Sequence, residues 1–261
     1  MAWQYGRSAV GSGWRREYID LMFRDLLTRA MTTLPSQCMV CRAWPAQPVC
    51  EACVVRFAQP IPRCPTCALP WPPDPHGQAR QCGECLTSPP PLDACFAAVT
   101  YAYPWAGLVV NYKFNGNPGA SAVLATLLRS APWVEPALER SDLLLPMPLS
   151  RQRLRERGFN QALELARRLA PHKTEAALLL RIRDTPSQRP LKRTERQRNV
   201  AGAFALEPLR AQRVQGRRVV LVDDVMTSGA SLFAAARTLR EGGAAHITAL
   251  VLARTDDPAQ T

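Results

Sequence analysis

The sequence predicts an α/β protein, a mostly parallel sheet flanked by helices, joined to an N-terminal cysteine-rich module. Three observations lead there. Beyond residue 91, short apolar runs rich in Val, Leu and Ile alternate with helix-like stretches, the order of βαβ units. Val219 to Val222 is a run of four apolar β-formers that enters Asp223-Asp224 and then a small turn, Thr227-Ser228-Gly229-Ala230-Ser231. Eight of the nine cysteines fall in four CxxC pairs ahead of all this.

Taken in order, residues 1–34 form a helical segment. Residues 1–13 carry no anchoring pattern, and Glu17 to Leu34 reads as a helix with Ile19, Leu21, Met22, Phe23, Leu26, Leu27 and Met31 apolar. Residues 35–91 hold the pairs Cys38/Cys41, Cys50/Cys53, Cys64/Cys67 and Cys82/Cys85, separated by 8, 10 and 14 residues. Two-residue spacing lets both thiolates of a knuckle face one tetrahedral Zn2+, so four knuckles make two structural zinc sites. Four separate pairs in a proline-rich segment do not fit a redox CxxC, whereas iron–sulfur ligation stays open. Sequential pairing, first knuckle with second and third with fourth, is the expected arrangement, with a cross-braced one as the alternative. Cys95 opens an apolar run and is expected to be a buried apolar residue rather than a ligand. Seven prolines between Pro60 and Pro75 favour loops and turns held by metal.

Residues 92–261 supply the α/β domain. Ala94 to Tyr103 is a strand and Trp105 to Phe114 a helix, stopped by Asn115-Gly116-Asn117-Pro118. A helix over Ser121 to Ser130, a short buried strand over Asp142 to Pro146 and a helix over Gly158 to Leu169 follow. Arg217 to Val222 is the strand before the acidic pair, Leu232 to Arg240 the next helix, and His246 to Ala253 the last strand, after Gly242-Gly243.

The chemistry concentrates where strands end. Small residues after Asp223-Asp224 leave backbone N–H groups at a helix start open to a phosphate. Two carboxylates repel phosphate but suit ribose hydroxyls or a divalent cation. A sugar carrying a 5′-phosphate satisfies both. A second loop, Pro146 to Gln161, carries Ser150, Arg153 and Arg157 to the same sheet edge, where open α/β sheets bind ligands. The two arginines, four residues apart, are placed to converge on a pyrophosphate. A third segment, Thr185 to Asn199, is polar and basic and reads as a lid over a polyphosphate or as a nucleic-acid-binding loop.

A net charge of +12 favours an anionic ligand or partner. The stretch from Arg151 to Arg198 holds fourteen Lys/Arg against five Asp/Glu. An apolar content of 47% excludes global disorder. No apolar run reaches the roughly 18 residues of a membrane span, and charges interrupt every candidate signal-peptide core near the N-terminus, so a cytoplasmic protein is expected.

The order of these pieces resembles the ComF (GntX-like) family. The residues that carry the likeness are the four CxxC pairs, Lys113-Phe114-Asn115-Gly116, the Pro148 to Gln161 loop, Gln188, Leu191, Arg196, Asn199, and the string from Val219 to Ser231. That string is similar to the phosphoribosyl pyrophosphate (PRPP) signature of type I phosphoribosyltransferases. The resemblance implies a type I phosphoribosyltransferase fold behind a double zinc ribbon. It also implies PRPP and Mg2+ as ligands and a role in DNA uptake during natural transformation. On this reading Asp223 and Asp224 hold ribose and metal, Val225 to Ser231 with Ser150, Lys113 and Arg196 bind the cofactor phosphates, and Arg153 and Arg157 take the pyrophosphate. Two functions follow: Mg2+-dependent phosphoribosyl transfer, or a nucleotide-sensing binding module that contacts single-stranded DNA or a DNA-handling partner such as a DNA-processing helicase. Few aromatics interleave the basic run, which disfavours a single-strand stacking platform.

Overall fold

A computed structural model describes residues 36–71, 81–114, 119–183, 200 and 202–256. The helix expected over Glu17 to Leu34, the stop signal at Asn115 to Pro118, and the basic segment Thr185 to Asn199 with Gln188, Leu191 and Arg196 lie outside the described residues. By its contacts the chain separates into two units, Met1–Cys50 and Glu51–Thr261.

In the first unit the described chain is one cysteine knuckle. Ser36 and Ala46 form an antiparallel bridge, the Cys38 N–H donates to Ala43 O (3.0 Å), and the Arg42 N–H returns to Cys38 O (2.9 Å). Arg42 takes a positive φ of 66°, which turns the backbone tightly enough for this return.

The second unit begins with helix α1 (Glu51–Phe57), a knuckle around Cys64 and Cys67, and helix α2 (Gly83–Thr87). Strand β1 (Ala94–Thr100), helices α3 (Trp105–Phe114), α4 (Ala120–Arg129) and α5 (Val134–Glu139), and strand β2 (Leu143–Pro146) follow. Next come helices α6 (Arg151–Arg157) and α7 (Gln161–Leu169), the strands β3 (Leu179–Arg181) and β4 (Phe204–Leu206), strand β5 (Arg218–Met226), helix α8 (Ala230–Glu241) and strand β6 (His246–Arg254). Four strands form a wholly parallel sheet in the order β1-β6-β5-β2, while β3 and β4 make a separate antiparallel pair.

Unbroken apolar runs become the sheet interior because both of its faces are covered. All four residues of β2 are buried, as are Val219 to Val222 of β5 and every residue of β6 after His246. The core reaches further than hydrophobic pattern alone indicates. Cys64, Cys67, Cys82, Cys85 and Cys95 belong to the same buried cluster as Leu221, Met226 and Val251.

Several boundaries differ from expectation. β1 stops at Thr100 rather than Tyr103. The loop from Pro146 to Gln161 contains a seven-residue helix, α6, and the helix expected from Gly158 begins at Gln161. Gly158 ends α6 instead, at φ 77°, with its N–H donating to Leu154 O (2.9 Å), and Asn160 then caps α7 through Oδ1 to the N–H groups of Ala162 and Leu163. β5 extends to Met226, so Asp223, Asp224 and Val225 lie in the strand rather than beyond it. The ladder persists because Asp223, Val225 and Met226 pair in register with Val251, Ala253 and Arg254 of β6, and that pairing satisfies backbone groups a loop would leave open. Helices α1, α2 and α5 and the β3–β4 pair carry no sequence signal strong enough to be expected, since each is seven residues or shorter.

Candidate functional site

At the carboxyl edge of the sheet lies a cavity of about 830 Å³. Its wall includes Lys113, Ser150, Arg153, Arg157, Asp223, Asp224, Val225, Met226, Thr227, Gly229, Ala230 and Ser231. Residues from separate stretches of sequence therefore meet in one cleft, because β2 and β5 are hydrogen-bonded neighbours and their following segments leave the sheet together.

The strand alternates its carboxylates between environments. Asp224 is 5% exposed and its Oδ1 lies 2.8 Å from Lys113 Nζ, at the last turn of α3. Asp223 Oδ1 accepts from the Asp224 N–H at 2.9 Å. Burial, followed by the neighbouring Asp224 charge, pushes the Asp223 carboxyl up to about 7, against the opposing influence of Lys113. An acidic pair in this state gains from any cation that reaches it, so a divalent ion fits the donor set.

The turn beyond β5 is shaped for close approach. Gly229 has φ 77°, and a Cβ there would sit 2.5 Å from the Met226 methyl and 2.6 Å from the Phe233 ring. Only glycine holds this path without displacing core side chains. Ser228 Oγ is buried without a hydrogen-bond partner among the described residues, and α8 starts at Ala230 with no side-chain cap. A buried hydroxyl and uncapped N–H groups at the positive end of a twelve-residue helix make an anion cradle.

Across the cavity, Ser150 caps α6 by accepting from the Arg153 N–H (3.3 Å). Arg157 donates to Gln161 Oε1 (3.0 Å) and lies over the Phe114 ring, 5.3 Å from its centroid. Burial lowers the pKa of this guanidinium, an effect opposed by Asp224. Gln161 is itself 1% exposed, and its Nε2 lacks a partner among the described residues, so the Arg157 wall keeps a spare donor. Arg153 and Arg157 share one face of α6 by their four-residue spacing, and both line the cavity. Ser228 is not part of the cavity wall proper, and Arg196 lies outside the described residues. Tyr101 and Arg181 line the cavity too, and neither carries a sequence signal; Arg181 is separated from the other motifs and sits in a three-residue strand without a readable pattern.

The cysteines form two groups, Cys38/Cys41/Cys50/Cys53 and Cys64/Cys67/Cys82/Cys85, with the ligand sulfurs of each group within 4.8 Å of one another. This is the sequential arrangement. A tetrahedron with Zn–S near 2.3 Å places sulfurs about 3.8 Å apart. Cys41 and Cys50 sulfurs lie 3.6 Å apart, as do those of Cys67 and Cys82, so both groups suit zinc. Cys95 is buried outside both groups, its thiol directed to Met226 Sδ (3.6 Å), and burial pushes it up to about 12.

Residues 155–261 match the phosphoribosyl transferase domain family. The DNA utilization protein YhgH of Salmonella typhimurium is 33% identical over 86% of this chain and 100% of its own length. Competence protein F of Haemophilus influenzae is 32% identical over 67% of this chain and 79% of its own. The chain belongs to the ComF family. Another ComF relative, competence protein ComFC of Bacillus subtilis, is 31% identical over 45% of this chain and 46% of its own. The parallel sheet flanked by helices is thus a phosphoribosyltransferase domain, accompanied in this ComF chain by two four-cysteine groups able to hold zinc. Among the described residues no helix is long and apolar enough to cross a membrane.

Proposed function

We propose that the chain binds PRPP together with Mg2+ and transfers its phosphoribosyl group to an acceptor, releasing pyrophosphate. The observation that carries this reading is the meeting, in one cleft, of an acidic pair, an uncapped helix start behind Gly229, and a two-arginine wall. The turn from Thr227 to Ser231 takes the 5′-phosphate through backbone N–H groups, with Ser228 Oγ and Gly229 shaping the cradle. Asp223 and Asp224 accept from the ribose hydroxyls and hold the metal. Mg2+, when bound, supplies positive charge to the pyrophosphate oxygens.

Arg153 and Arg157 face the leaving group. As an acceptor atom bonds to ribose C1, the C1–O bond to pyrophosphate breaks and its electron pair departs with the pyrophosphate; the acceptor gives up its proton to solvent. Arginine charge stabilises the negative charge that develops on the leaving oxygen, and fixed orientation supplies much of the remainder. Lys113 Nζ, 2.8 Å from Asp224 Oδ1, holds that side chain in place. Relatives named for competence and DNA utilization support a ComF-type role in DNA uptake, and the net charge of +12 suits a single-stranded DNA partner or a DNA-handling protein, such as a helicase.

Titration calorimetry with PRPP, with and without Mg2+, tests the site. Micromolar, metal-dependent binding by the zinc-loaded protein, lost in the Asp223→Asn/Asp224→Asn variant, is the expected outcome. A well-folded wild type that binds no PRPP would overturn the reading and leave a non-catalytic DNA-associated module.

A further inference from the structure

Arg254 ends β6 and is 4% exposed, an uncommon position for a guanidinium. Its Nε donates to Cys67 O at 3.0 Å. Its Nη1 donates to the carbonyls of Met226 (3.3 Å), Thr227 and Thr255 (2.7 Å), and reaches Thr255 Oγ1 at 3.4 Å. One buried side chain therefore spans from the third cysteine knuckle to the first residues of the turn that follows β5. Arg254 itself does not line the cavity.

The knuckle it grips is fixed independently. Arg63 Nη1 donates to Ala68 O (3.1 Å) and its Nη2 to Thr100 Oγ1 (2.9 Å), and the Cys95 N–H donates to Pro65 O (2.7 Å). Cys67 O is thus a rigid anchor, and Arg254 ties Met226 O and Thr227 O to it. A turn has few backbone hydrogen bonds of its own, so its path depends on such outside restraints. Across each planar trans peptide the following N–H points opposite to the carbonyl, so the N–H groups of Thr227 and Ser228 point away from the Arg254 guanidinium. Substituting a neutral side chain removes the side-chain donor to Thr227 O and leaves Met226 O to the Thr255 N–H (3.1 Å).

We propose that Arg254 is a positioning residue that holds the Thr227–Ser231 turn in its anion-receiving shape by anchoring it to the Cys64–Cys67 knuckle. The assignment of that turn to the 5′-phosphate rests on the function proposed above; the restraint itself does not.

Two measurements on the full-length, zinc-loaded protein decide it, using wild type, Arg254→Lys and Arg254→Met. In ligand-free protein, amide hydrogen exchange should be at least about tenfold faster across residues 227–231 in Arg254→Met, with Arg254→Lys intermediate because one ammonium reaches fewer carbonyls. Amides of residues 247–252 in β6 should keep wild-type rates. Unchanged exchange in the turn overturns the proposal, and so does equal acceleration in β6, which would reveal a merely structural arginine. PRPP calorimetry on the same proteins should show a dissociation constant raised more than about tenfold in Arg254→Met and partly restored in Arg254→Lys. If the turn loosens while wild type binds no PRPP, the restraint stands and the PRPP reading falls. If wild type binds and all three proteins bind equally, Arg254 does not position the ligand and the proposal is overturned.

Discussion

The two cysteine groups share a local design and differ in what surrounds them. In each, the third cysteine's N–H lies 3.4 Å from the first cysteine's sulfur: Cys50 to Cys38, and Cys82 to Cys64. The residue after each first knuckle, Arg42 or Ala68, has a positive φ, of 66° and 55°. Each knuckle closes with a return bond to its first cysteine's carbonyl, from Arg42 N–H (2.9 Å) or Ala68 N–H (2.8 Å). Yet Cys41 is exposed in the first group, whereas all four cysteines of the second are buried in the core of the α/β domain. Equal spacing thus yields equal knuckles, while tertiary burial decides whether a metal site is a surface clasp or part of a hydrophobic core.

The thiols do not divide the same way, because within the second group the side-chain hydrogen bond with Cys67 draws Cys64 down to about 4. At Cys38, burial raises the thiol, but hydrogen bonds from backbone N–H groups of Cys41, Cys50 and Val40 outweigh it and bring the group down to about 6. At Cys85, burial dominates and pushes the thiol up to about 12. The Cys85 thiolate therefore depends on a bound cation to offset its desolvation.

The largest test of this contrast removes one ligand from each group. Cys82→Ser should cost more than about 4 kcal/mol, the range of lost metal sites, and should abolish the cooperative transition of the α/β domain. Cys50→Ser should keep about one equivalent of zinc and retain that transition. Metal content and thermal unfolding check both, and equal losses in the two variants would erase the distinction.

Burial is also the variable that sets Asp223, which gives a second, smaller test. Its folded pKa of about 7 lies above the roughly 3.9 of an unfolded aspartate, so between these values the folded state holds a proton that the unfolded state lacks. Its stability contribution is greatest below about pH 4 and is lost as pH rises through 7. Asp223→Asn should therefore gain on wild type between pH 5 and pH 8, by up to about 2 kcal/mol in urea denaturation without added divalent cation. A pH-independent difference would show that the carboxyl is not desolvated.

The smallest effect concerns the shared knuckle conformation. Arg42→Gly and Ala68→Gly both relieve a left-handed backbone strain of about 1 kcal/mol, offset in part by glycine's greater unfolded-state freedom. Both should change stability by less than about 1 kcal/mol and in the same direction, measured by chemical denaturation. Opposite signs would mean that the knuckles differ in backbone as well as burial.

Local pattern made much of the α/β domain legible. Helix α3 has the bounds its apolar spacing and stop signal indicate, and the buried strands follow from unbroken Val, Leu and Ile runs. The glycine at 229 was readable as part of a small-residue turn, although its need for φ 77° and for space beside Met226 and Phe233 was not. Misplaced boundaries occur where tertiary contacts override local preference: β5 runs on through two aspartates because β6 offers ladder partners. Helix α6 was hidden by its length and by an arginine content that reads equally well as loop.

Strand-turn-helix order, the four knuckles with their spacing and the residue types at the sheet edge are all legible in the chain. These depend on periodicity, turn chemistry and charge, all of which act over a few residues. Folding alone brings Lys113 within 2.8 Å of Asp224, buries the second cysteine group in the core, and lets Arg254 join a cysteine knuckle to the turn after β5. Those contacts join residues 111, 187 or 27 positions apart or bring separate segments into one core, and chain folding rather than local preference selects such pairs.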